Sequence, residues 1–246
     1  MAAADQCYSN DSGIFSSYFF NFDHLDPHVQ SHVMSVYACL SLGMVFAACG
    51  AYIHLISNIG EWYFLSTAAS AACIVWMFLT HHSKENVGER MGAFNAFTFF
   101  SGVSSGPLLE LVVRVDPSIV PMAVSGSALL VTSLSLAALT SNDRKFFSMG
   151  VLLFSVFFLL VLLELVNTYL GSRFIFDVYV YSSLILFAFF VLYDTQLVVE
   201  KSRKGANDFV WNSVALFLDM FQIFKLMLIV LAKKVSRSIR CAESVS

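Results

Sequence analysis

Long apolar runs separated by short polar breaks recur seven times along the chain. They lie at roughly 33–56, 62–80, 91–113, 117–140, 146–168, 178–199 and 210–232. Each is close to the ~20 residues that an α-helix needs to cross a ~30 Å hydrocarbon core. The breaks hold the polar punctuation: Ser57-Asn58 and Gly60-Glu61, His81 to Arg90, Arg114 to Pro117, Ser141 to Lys145, Gly171 to Asp177, and Glu200 to Asp208. No run alternates with a period of two, so the pattern is not that of a membrane β-barrel. Breaks this short leave no room for a separate soluble domain. The pattern predicts an all-α integral membrane protein, a seven-helix bundle over 33–232. An N-terminal segment, 1–32, precedes it and a basic tail, 233–246, follows.

Composition sharpens this picture. Hydrophobic residues are 58% of 246 and charged residues 13%, with a net charge of −3. That is about half the charge of a soluble domain. It excludes a disordered chain, a coiled coil and an ordinary cytosolic enzyme, and it offers nucleic acid no electrostatic footing. Residues 1–32 lack Lys and Arg, so the basic region of a secretory signal is missing. Asp5, Asp11, Asp23 and Asp26, among many aromatics, place this segment at the membrane edge. The Asn10-Asp11-Ser12 sequon matters only on a lumenal N-terminus. Cys7, Cys39, Cys49, Cys73 and Cys241 are odd in number and scattered, and read as small apolar fillers.

Lys and Arg in the breaks set orientation. If the last segment crosses, the N-terminal side holds seven of them and the other side six. If it re-enters, the split becomes eleven against two. Either way the N-terminus is expected in the cytosol. The last segment is also the most polar, carrying Asp219, Gln222 and Lys225. Such a helix needs shielding from lipid, which predicts a central position.

Five charged residues fall within the apolar runs: Glu110, Glu164, Asp194, Asp219 and Lys225. An ion near the bilayer centre costs at least about 2.5 kcal/mol and needs a partner or water. Glu110 and Glu164 stand near segment ends and read as solvated carboxylates. Lys225 either snorkels or neutralises a carboxylate. Asp194 and Asp219 sit deep in apolar surroundings on consecutive segments, each about ten residues from the connecting loop. At ~1.5 Å per residue, antiparallel neighbours bring them to one depth. Two buried carboxylates at one level do not both ionise cheaply, so they share a proton and titrate as a unit. Hard carboxylate oxygens also suit Ca²⁺, with protons competing for them. The pair therefore predicts a cation path, a proton-controlled latch, or both. It would hold calcium only transiently.

Several patterns imitate enzymes. Gly102-Val103-Ser104-Ser105-Gly106 matches a nucleophile elbow, but that elbow needs a strand-to-helix turn. The same residues match G-x-x-x-G, which permits close helix packing. His54, the one histidine inside a run, reads as a helix-end residue. Intramembrane aspartyl proteases use two aspartates on adjacent spans, and Tyr193-Asp194 fits their first motif. Leu216-Phe217-Leu218-Asp219 lacks the glycines of their second. No phosphate-binding loop is present, and His81-His82 lacks further ligands for zinc. The chain is expected to be no enzyme and to carry no cofactor.

At these residues the chain resembles the transmembrane Bax-inhibitor-motif family. The resemblance covers nearly everything from about residue 27. It includes Gly50-Ala51-Tyr52 with His54, SSGPLLELVVRVDPSIVP over 104–121, YDTQLVVEK over 193–201 and NDFVWNSVALFLD over 207–219. Ser127-Ala128 departs from the family's Thr-Ala, and the tail from Arg240 is less lysine-rich than in some relatives. The resemblance implies a seven-helix bundle with the last helix central. It also implies a pH-sensitive Ca²⁺ leak channel of the endoplasmic reticulum membrane. Members suppress cell death triggered by Bax and by endoplasmic reticulum stress, and associate with Bcl-2-type proteins. The family's aspartate pair maps onto Asp194 and Asp219. Lys225, Arg114, Glu110 and Glu164 remain as accessory charges, with Lys225 or Arg114 a competing partner for the aspartates. The rival expectation is a membrane adaptor with no transport of its own, binding Bcl-2-type proteins or other channels.

Overall fold

The computed structural model describes residues 26–57, 63–80, 86–140, 149–205 and 208–243, the last five of these as backbone only. The aspartates before Asp26, the Asn10 sequon, Cys7 and His81-His82 lie outside the described residues. Eight helices and no strand occur among the described residues. They are α1 Pro27–Ser57, α2 Tyr63–Leu79, α3 Val87–Ser104, α4 Gly106–Val115, α5 Ile119–Thr140, α6 Gly150–Leu170, α7 Arg173–Arg203 and α8 Phe209–Glu243.

Five of these, α1, α5, α6, α7 and α8, are long and apolar enough to cross a membrane, and α3 with α4 makes a sixth if the bent pair is one span. The 17-residue α2 is apolar but shorter. This is the organisation of a multi-pass membrane protein. The run at 91–113, expected as one helix, is instead two, bent by 42°. The break falls at Ser105, and Pro107 lies in the first turn of α4. A proline there has no N–H to continue the ladder and its ring crowds the preceding turn.

Small residues explain how closely α1 meets α3 and α4. A Cβ on Gly50 would collide with the Phe99 carbonyl oxygen, and one on Gly102 with the Ala47 carbonyl oxygen. The Gly102-x-x-x-Gly106 pattern is thus a packing device, and Ser104 ends a helix rather than topping a strand-to-helix turn. His54 stands in the last turn of α1, the helix-end position expected for it, and is buried there. It is 2% exposed, and its ring fills the space that a Gly106 side chain would need.

Aromatic rings join α3 to α8. Phe217 meets Phe94 and Phe97 edge-on, with centroids 6.1 and 5.4 Å apart, and stacks on Phe221 at 5.3 Å. The last helix is unbroken through Lys233, Lys234 and Arg237 to Glu243 and packs against α1, α3, α4, α5 and α7. In its apolar stretch 44% of the residues are buried, against 11% in α6. The α6 helix packs mainly on α7 through Leu153, Phe157, Leu186 and Phe190. The rest of its surface, such as Val151 and Phe158, is bare. An apolar face of this extent matches lipid, not water.

Candidate functional site

Antiparallel packing of α7 on α8 brings Asp194 and Asp219 together. Their carboxyls are hydrogen-bond neighbours. Asp219 is buried, and its Oδ2 has no hydrogen-bond partner. Two carboxyls hydrogen-bond to each other only with a proton between them, because an ionised carboxylate can only accept. The surroundings are apolar: Val191 and Ile223 are fully buried nearby on the same two helices. Tyr193, next to Asp194, lies against Gly150 at the start of α6, so a side chain at position 150 would meet its ring and hydroxyl.

A polar group from α1 reaches the same region. The Tyr37 hydroxyl is 3.3 Å from Thr195 Oγ1, one residue beyond Asp194. The cation acting on Asp194 is Lys201, two turns further along α7. Seven residues place it on the same face, about 10 Å away along the axis. Its Nζ donates to Asn212 Oδ1 at 3.2 Å. Asn212 in turn lies 3.1 Å from His32 Nε2 on α1. Beside them the buried Arg90 of α3 pairs with Asp208 at 2.7 Å, and Asp208 also accepts the Trp211 N–H at 3.1 Å to cap α8. The end of the bundle nearest the aspartates is therefore closed by a polar network drawn from α1, α3, α7 and α8. Reading along the chain assigned Lys201, Arg90 and Asp208 to loops. Arg90 is buried and Lys201 half-buried because their helices extend past the apolar runs, and the half-buried Asp208 caps the start of α8.

The accessory charges divide. Arg114 is not a partner for the aspartates: it pairs with Glu110 at 2.5 Å, one turn back on α4, on an exposed face. Lys225 is half-buried, with its ammonium 5.1 Å from the centre of the Phe221 ring. Glu164 lies on the exposed face of α6, near enough for its charge to act on Lys225, and it hydrogen-bonds Tyr179 of α7. Glu164, rather than either aspartate, is the carboxylate facing Lys225. Among the described residues no three His, Cys, Asp or Glu side chains gather as a metal cluster. Two carboxyls fall short of the six to eight oxygens of a resident Ca²⁺ site.

Residues 29–236 match the family model for inhibitor of apoptosis-promoting Bax1. The chain is 39% identical to Bax inhibitor 1 of Mus musculus over 211 residues, covering 86% of this chain and 89% of that protein. Against Bax inhibitor 1 of Homo sapiens the identity is 37%, with the same coverage. Against that of Arabidopsis thaliana it is 32%, over 87% of this chain and 85% of the relative. With most of its length matched on both counts, the chain belongs to the Bax inhibitor family.

Proposed function

We propose that this protein is a pH-sensitive Ca²⁺ leak pathway of the endoplasmic reticulum membrane that suppresses Bax- and stress-induced cell death. In this reading seven segments cross, the N-terminus is cytosolic and α8 is the central helix. The protein is a conduit, not an enzyme. The observation that carries the reading is the meeting of Asp194 and Asp219 across α7 and α8. A shared proton ties the two helices together. Without it, two like charges face each other in a low-dielectric setting and separate unless a cation takes its place. Ca²⁺ is such a cation, and the carboxylate oxygens are ligands of the hardness it prefers. Protons and Ca²⁺ then compete for one pair of groups, and the Lys201–Asn212 and Arg90–Asp208 contacts hold the helix ends while the pair responds.

The test is Ca²⁺ efflux from proteoliposomes across pH. The reading expects a leak whose pH profile flattens in Asp194→Asn and Asp219→Asn. Efflux and profile unchanged in both variants would sink it. The familial association with Bcl-2-type proteins is proposed as a separate contact, checked by capture of a purified Bcl-2-type protein.

A further inference from the structure

Where α6 ends and α7 begins, an open cleft of about 850 Å³ lies between these ends, α4 and the C-terminal part of α8. Three cations line it: Arg173, Lys233 and Arg237. One carboxylate, Asp177, stands among them, paired with Lys233 and more loosely with Arg237 at 3.7 Å. The Lys233 ammonium also sits 4.1 Å above the Phe176 ring. Arg173 has no ion-pair partner among the described residues. A single carboxylate already serving two cations leaves the cleft with positive charge to spare. The long Arg237 contact leaves guanidinium donors unused, and such forks fit phosphate oxygens. In the wall the Oδ1 of Asn167 is buried with no hydrogen-bond partner, an acceptor available to a ligand hydroxyl or amine. Leu111, Val115 and Ala232 add apolar lining.

We propose that this cleft binds one phosphate-bearing anion, its phosphate held by Arg173 and Arg237 with Lys233 behind. The chemistry is that of a phosphate ester with an apolar flank. It is shared by an anionic lipid headgroup and a soluble phosphate, and it is independent of the aspartate pair and of ion leak.

Native mass spectrometry of the full chain tests this, with phosphatidic acid, phosphatidylcholine and inorganic phosphate as separate probes. One phosphatidic acid retained per chain, in preference to phosphatidylcholine, supports the site and identifies its source as lipid. Saturable binding of inorganic phosphate supports it with a soluble source. Absence of both overturns it. Arg173→Gln and Arg237→Gln are exposed changes that leave folding intact, and each is expected to weaken binding about fivefold. Asp177→Asn should strengthen it, a gain that misfolding cannot imitate. Lys234, on the same end of α8 but outside the cleft lining, is the control. If Lys234→Gln weakens binding as much as Arg173→Gln, the attraction is diffuse and the proposal fails.

Discussion

A carboxyl's behaviour here depends on what shares its proton. In the Asp194–Asp219 pair an asparagine at either position keeps a hydrogen-bond donor and removes the charge. It thus imitates one permanently protonated partner. Efflux through Asp219→Asn should lose most of its pH response because the shared proton is replaced by an amide hydrogen that cannot be exchanged for Ca²⁺. Asp116 is the contrasting case. Outside the spans, in the turn between α4 and α5, its Oδ1 accepts the Ser118 N–H at 2.8 Å. That hydrogen bond holds its pKa below the ordinary carboxylate value. The stabilisation is therefore fully present above about pH 3.9 and is lost as pH falls through the lower, folded value. Thermal unfolding of the solubilised protein should show this acid-side loss, and Asp116→Ala should lack it. Both aspartates of the central pair were legible in the sequence as charges in apolar runs. Tyr37 and Lys201 were not, because nothing in their local pattern says which distant residue they face.

Helices meet where small residues let them, and the cost of filling that space is direct. Gly102→Val should destabilise the α1–α3 contact by about 1–3 kcal/mol, the usual range for overpacking. The backbone carbonyl of Ala47 has nowhere to retreat, so the upper end is expected in a chemical-denaturation series. Asp208→Ala should cost about 1–2 kcal/mol, because it uncaps α8 and removes an ion-pair partner of the buried Arg90. The Gly102–Gly106 spacing gave the close packing in advance. The 42° bend beside it was hidden, although Pro107 was in view. Hydropathy averages over a window and stays high across a kink, whereas only backbone hydrogen bonding registers the interruption. The helix-end place of His54 was legible, but its burial was not, because its neighbour Gly106 lies on another helix.

For the molecule in its bilayer, the open question of which side the C-terminal tail lies on came from one element. Counting Lys and Arg left the last segment undecided, since a crossing splits them almost evenly. The unbroken α8, with Asp208 at one end of the bundle and Lys233 beside Asp177 at the other, favours a full crossing. Cysteines introduced at Lys204 and Lys234 should then react with a membrane-impermeant maleimide from opposite sides. Labelling of both from one side would restore the re-entrant alternative. The number of apolar segments could be read from the chain, but their neighbours could not, because lipid-facing and helix-facing positions are equally apolar. The almost bare α6 and the well-buried α8 differ in surroundings far more than in hydropathy.

Helix length carries a mechanical implication. The 21 residues of α6 extend about 31 Å, close to the hydrocarbon thickness. The 31 residues of α7 and 35 of α8 extend about 46 and 52 Å. Neighbours so unequal cannot all match one slab. The longer two must lean or project, and a change in thickness alters how far they lean. Because Asp194 and Asp219 sit on those two helices, the membrane's own dimension bears on the angle at which the carboxyls face each other. The same chain in a thinner or thicker bilayer would present a differently set pair.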